Sequence, residues 1–271
     1  MKYNRSYLFV DESGVAELGP HGDAHGQYLG LLGCVTSQRE YWREIEPAMA
    51  SFKRRQFPGC DPAKIALHRA HIVGKQGVFG VLKDAARRAA FDEDMLRLYA
   101  ELPYFLIGIV VDKLAHARHP QRFYENSYHW ALAMMLERYC GLLRVWGRTG
   151  KVICEARGKY PDRLLQGAYE QVLEKGTPHR RHPAAFFKEV LTSRKIKFLS
   201  KIPATAGLEI ADGLVRTAKL EILAENGKAE RLEHPFQVAV EGAIGGKWNR
   251  RWSTGKVAGY GKAFFTLPDQ G

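Results

Sequence analysis

The sequence predicts an α/β protein built on a mixed sheet, an antiparallel hairpin plus parallel strands, flanked by helices. Three observations predict it. Two strand-like runs near the start, Tyr7–Val10 and Tyr28–Val35, are close enough in the chain to pair as a hairpin. A nearly unbroken apolar run, Tyr104–Val111, has the composition of a central strand covered on both faces. Beyond it, helix-period and strand-like segments alternate, the pattern of parallel strands joined by right-handed crossovers.

Taken in order, Tyr7–Val10 is rich in β-formers and is followed by Asp11-Glu12-Ser13-Gly14, which has turn chemistry. A Gly/His-rich loop over 19–26 leads to Tyr28–Val35. Residues 41–56 predict a helix, and Pro58, Gly59 and Pro62 break it. Leu67–Ile72 is a short element of either type, and Phe91–Leu102 reads as a helix stopped by Pro103. Tyr124–Trp146 is apolar over most of a helical circumference and belongs in the core. A strand at Lys151–Glu155, a helix at Asp162–Glu174, a strand at Ile196–Leu199 and an amphipathic helix at Leu208–Leu223 complete the pattern. With no internal repeat or low-complexity linker, the expectation is one domain over 1–271. It carries a helical insertion at about 40–100 and a basic C-terminal extension at about 228–271.

The composition is that of a folded protein, 45% hydrophobic and 26% charged. No run approaches the roughly 20 apolar residues that span a bilayer, and the start reads as a strand and not as a cleavable leader. The four cysteines (Cys34, Cys60, Cys140, Cys154) are widely spaced and form no C-x-x-C pair. That predicts reduced thiols and a cytoplasmic protein, and excludes a disulfide framework or zinc ribbon. A net charge of +12 points to polyanionic partners, nucleic acid before membranes, since no helix is basic on one face and greasy on the other. Residues 245–262 contain Lys247, Arg250, Arg251, Lys256 and Lys262 with no acid, interleaved with Trp248, Trp252 and Tyr260. Lys247, Arg250 and Arg251 are therefore candidate phosphate contacts, and Trp248 and Trp252 candidate stacking platforms. Arg180 and Arg181, within His179–His182, form a second basic cluster.

The acidic residues stand out by position. Asp11 and Glu12 end the first strand and Glu155 ends the strand after the long helix, where open α/β sheets bind ligands. On the last helix Leu208, Ala211, Leu214, Val215, Ala218 and Ile222 form one apolar face, and Asp212 falls about 40° from Leu208, at its edge. A carboxylate there is costly unless a cation or donor meets it. Glu209 lies on the same side, further toward solvent. Taken singly each has a structural reading: a turn at Asp11–Gly14, Glu155 paired with Arg157, Asp212 paired with Arg216. Convergence of four carboxylates instead predicts a metal site, and all-oxygen ligands favour Mg²⁺ or Mn²⁺ over zinc.

The segments Tyr7-Leu8-Phe9-Val10-Asp11-Glu12-Ser13-Gly14, Leu67-His68-Arg69-Ala70-His71-Ile72, Val152–Gly158 and Gly207–Asp212 come in an order and spacing that resembles a bacterial and phage family, the domain-of-unknown-function family numbered 3800. The closing Gly259-Tyr260-Gly261-Lys262 is similar to that family's tail, so the likeness spans nearly the whole chain. The resemblance implies a ribonuclease H-like fold, with metal-binding positions at Asp11, Glu155 and Asp212 and with Glu12 and His68 as helpers. Where this chain has Glu209 the family more often has Gln, so Glu209 adds a candidate ligand.

The expected activity is hydrolysis of nucleic-acid phosphodiesters with Mg²⁺ or Mn²⁺. Asp11 would bridge two ions, and Glu155 and Asp212 would each hold one side. The alternative is a non-catalytic nucleic-acid-binding protein, or a defence-system or toxin component, on the same fold. DNA and RNA remain equal choices at this level, as does the oligomeric state. His68-x-x-His71 lacks a third zinc ligand, Ser13 lacks a nucleophile elbow, and Gly158-Lys159 lacks the phosphate-loop spacing.

Overall fold

A computed structural model describes residues 4–14, 24–118, 127–177 and 182–266. Six strands form one sheet: β1 (Arg5–Ser13), β2 (Tyr28–Ser37), β3 (Phe105–Asp112), β4 (Thr149–Glu155), β5 (Lys197–Leu199) and β6 (Lys262–Phe265). Their spatial order is β5-β4-β1-β2-β3-β6. β1, β2 and β3 are an antiparallel meander, β4 and β5 run parallel to β1, and β6 runs parallel to β3. The expected hairpin and parallel strands are present, with one difference. The strand at 105–112 extends the hairpin, while β4 crosses to the other edge of β1.

Helices cover both faces, because every long strand is apolar on both sides. Along β1, Phe9 faces one core together with Leu32, Val110 and Ile153, while Leu8 and Val10 face the other with Leu31, Ile109 and Val152. The first face is covered by α1 (Glu46–Gln56), α2 (Ala85–Glu101), α5 (Ala206–Glu225) and α6 (Pro235–Ile244). The second is covered by α3 (Ser127–Trp146) and α4 (Lys159–Lys175). The inserted helices between β2 and β3 thus seal one face of the sheet.

Several boundaries differ from expectation for physical reasons. β1 continues through Asp11-Glu12-Ser13, because pairing of Ser13 with Gly30 outweighs local turn preference, and the chain turns only at Gly14 (φ 106°). α2 starts six residues earlier than Phe91, where the Asp84 side chain accepts from Arg87 N at 2.8 Å. Its first turns are exposed alanines and arginines that carry helix propensity without apolar periodicity. The residues expected as a basic extension return to the sheet: β6 pairs with β3, and Trp248 is 1% exposed. The start of the predicted helix at 124–126 and most of the 19–26 loop lie outside the described residues.

Among the described residues no helix is long and apolar enough to cross a membrane. All four cysteines are free, and only Cys60 is exposed.

One glycine sets how closely α5 approaches the sheet. A Cβ on Gly207 would lie 2.2 Å from the Phe9 ring, so only a bare Cα lets the helix sit against β1. Gly207→Ala is expected to cost ~1–3 kcal/mol, as overpacking does, and to carry Asp212 away from Asp11. Urea titration checks the first effect.

Candidate functional site

Asp11 and Glu155 meet at the carboxyl ends of the parallel neighbours β1 and β4, one step past the registered pair Val10–Cys154. Side chains alternate along a strand, so Asp11 follows Phe9, and Glu155 follows Ile153, onto the α5 face. Asp212 reaches the same end from α5. It lines one crevice together with His68, Glu155, Ser200, Lys201 and Glu209. The structure thus brings Asp11, Glu155, Asp212 and His68 together on one face.

Asp212 is held in place by both oxygens. His68 Nδ1 lies 2.6 Å from Oδ1, and Arg69 N donates to Oδ2 at 2.6 Å. Its partner is therefore the His68 segment and not Arg216. His71 stands edge-to-face against His68, with ring centroids 5.0 Å apart. Glu155 pairs with Lys201 Nζ at 3.3 Å, a residue the sequence did not single out. Asp11 is different, for no donor among the described residues reaches its carboxylate. Burial pushes its pKa up to about 8, and the charges of Asp212 and Glu155 push the same way, against Arg157 and Lys201.

Two predicted residues take other roles. Glu12 alternates onto the α3 face and forms an ion pair with Arg157. That guanidinium donates to Tyr128 Oη at 3.0 Å and lies 4.7 Å over the Tyr128 ring. Glu209 does not face solvent. It is 6% exposed, Lys53 Nζ sits 2.7 Å from its carboxylate, and Leu67 N donates to Oε1 at 2.6 Å. Burial raises the Glu209 pKa, and Lys53 and the Leu67 amide oppose it. Through these contacts Glu209 clamps α1 and the 67–68 segment to α5.

The basic C-terminal residues divide. Trp248 is core, with Lys262 Nζ 5.0 Å over its ring. Lys247 turns inward, donating to Leu102 O at 2.8 Å. Buried at the sheet edge, Trp248 cannot stack on a base, while half-buried Lys247 spends one donor on Leu102 O. Arg250, Arg251 and Trp252 are exposed, Trp252 by 83%, and line a groove against α3. That groove shares no residue with the carboxylate crevice. Arg180 and Arg181 lie outside the described residues.

Among the described residues no three His, Cys, Asp or Glu side chains stand ready to hold a metal ion. The donor chemistry nevertheless suits a hard cation: three carboxylates on one face, one of them without a donor and crowded by the other two. The basic side chains nearest them, Lys201, Arg157 and His68, come from three separate segments. Sequence reading missed Lys201 and the Glu12 pairing of Arg157, since neither belongs to a periodic or spaced motif. Compared with known proteins, the chain matches no family profile, no curated protein and no solved structure.

Proposed function

We propose that the protein is a divalent-metal-dependent nuclease on a ribonuclease H-like fold, hydrolysing nucleic-acid phosphodiesters with Mg²⁺ or Mn²⁺ bound by Asp11, Glu155 and Asp212. The observation that carries this reading is the convergence of these carboxylates from β1, β4 and α5, with Asp11 pushed up to about 8 by burial and by its two acidic neighbours. Such crowding is what a bound cation relieves. The strand order, an antiparallel meander extended by two strands parallel to β1, supports the fold assignment, as does the family resemblance. Free cysteines fit a cytoplasmic location.

When bound, the metal supplies an activated water and stabilises the leaving oxygen. The chain's own residues do the rest. With Nδ1 held by Asp212 Oδ1, the His68 ring is oriented and its Nε2 is left to exchange a proton at the leaving oxygen. Lys201, released from Glu155 as that carboxylate turns to the cation, would be placed to meet a phosphate oxygen. The Lys53–Glu209 clamp holds the His68 segment still.

The test is cleavage of labelled single- and double-stranded DNA and RNA in Mg²⁺, Mn²⁺ or EDTA. Cleavage is expected only with metal, and Asp11→Asn is expected to lower it by about a thousandfold or more, as loss of a transition-state-stabilising group does. Cleavage that persists in EDTA or in Asp11→Asn would sink the proposal. The pairing of Glu155 with Lys201 and of Asp212 with His68 favours a second reading, a non-catalytic nucleic-acid-binding or defence-system component with the acids already neutralised. Salt-dependent nucleic-acid binding without cleavage in any metal would select it.

A further inference from the structure

Next to the carboxylate crevice lies a second cavity, of about 570 Å³, within the roughly 300–1,000 Å³ of small-molecule sites. The two meet at consecutive residues, His68 with Arg69 and Asp212 with Gly213. Part of its wall is apolar, with Phe91, Met95 and Tyr99 buried on α2 and Phe236 half-buried on α6, and the Arg88–Asp92 ion pair lines it as well. Two polar features have no use within the fold. Arg69 and Arg216 both line the cavity, yet among the described residues neither has a carboxylate within ion-pair distance. Both arginines line the same cavity, Arg69 half-buried and Arg216 exposed. Like charges held together in this way call for an anion. Tyr99 is 3% exposed as a whole, and its hydroxyl, not among the buried polar atoms that lack a partner, opens onto the cavity it lines. It abuts Gly213, where a Cβ would come within 2.1 Å of the oxygen. A hydroxyl that opens onto the cavity can donate to a ligand or water there.

We infer that this cavity is a nucleotide subsite: the aromatic walls take a base, the Tyr99 hydroxyl bonds its polar edge, and Arg69 and Arg216 hold its phosphate. Aromatic faces stack on any base, and guanidiniums match phosphate with paired N–H donors. A strand entering here would present its next phosphodiester to Asp212, the neighbour of Gly213; in that respect the subsite deepens the nuclease reading and rests on it. An apolar peptide would satisfy the walls but leave both guanidiniums without an anion.

The test is calorimetric titration of the whole protein, in EDTA, with the four nucleoside 5′-monophosphates, the matching nucleosides and inorganic phosphate. At least one monophosphate is expected to bind at one per chain, with its nucleoside and inorganic phosphate each about tenfold weaker or more, the worth of one lost charge-assisted contact. Arg216→Glu should weaken binding by about a hundredfold, and Arg216→Ala by less. Arg216 is exposed, so both variants stay folded. Tyr99→Phe should weaken binding about fivefold, the worth of one neutral hydrogen bond. No saturable binding of any monophosphate overturns the subsite, as does binding indifferent to Arg216→Glu or inorganic phosphate binding as tightly as the nucleotide. Because no metal is present, nucleotide binding in a protein that Mn²⁺ fails to stabilise would sink the nuclease reading alone, and the reverse result would sink the subsite alone.

Discussion

Lowering the pH from 8 to 6 is expected to weaken Mn²⁺ binding by about fiftyfold, because the ion must displace a proton from Asp11. With the Asp11 carboxyl raised to about 8, half the molecules are already ionised at that pH, and about one in a hundred at pH 6. The metal-free protein should show the matching trend in stability. The folded-state pKa lies above the unfolded value of about 4, so the stabilising contribution is complete below pH 4 and is lost as pH rises through 8. Metal-free melting temperature should therefore fall between pH 5 and 9, and Mn²⁺ should restore it most at pH 9. Asp11→Asn should flatten the metal-free trend and abolish stabilisation by Mn²⁺ at every pH. Thermal melts at several pH values, with Mn²⁺ or EDTA, read all of this. A metal-free melting temperature that rises with pH in the wild type but not in the variant would show that Asp11 gains stability by ionising and would remove the crowded-carboxylate site.

Lys53→Met is expected to destabilise the protein by ~3–5 kcal/mol, the cost of leaving a buried charge unpaired. Lys53 and Glu209 are 5% and 6% exposed at the side chain, so water cannot replace the lost partner. Adding Glu209→Gln should recover most of the loss, because the charge goes and a carbonyl oxygen remains to accept from Leu67 N. The single variant should also loosen the 67–69 segment and with it the His68–Asp212 contact, so nuclease activity should fall in Lys53→Met and return in the double variant. Urea unfolding gives the energies. A cost below about 1 kcal/mol would mean the pair behaves as an exposed one and does not position the site.

How much of this was legible in the residues depends on how local each feature is. Tyr7–Val10, Tyr28–Val35 and Tyr104–Val111 show their strands because side-chain alternation and β-branching act over a few positions. The helix at 206–225 showed its apolar face for the same reason, and that face placed Asp212 at its edge toward the sheet. The strand Lys262–Phe265 did not show, since four residues are too few to establish a period. Trp248 and Trp252 look alike in sequence, both in an aperiodic basic segment; one fills the core and the other is 83% exposed. Nothing within that segment could tell them apart, because the difference lies in the β3 edge that Trp248 covers.

By itself, then, the chain of residues determined the two-faced apolar strands, the long helices and the arrival of Asp11 and Glu155 at strand ends, all of which follow from patterns repeating every two or 3.6 residues. Only the tertiary structure decided which partner each charge received. Glu209 meets Lys53 across 156 positions and Asp212 meets His68 across 144. It likewise sent Glu12 to the opposite face from Asp11, and gathered Arg69, Arg216 and Tyr99 around one cavity. Ion pairs and cavities form between segments whose separation in sequence carries no period, so their partners are settled by how the helices pack on the sheet and by the cost of leaving a buried charge alone.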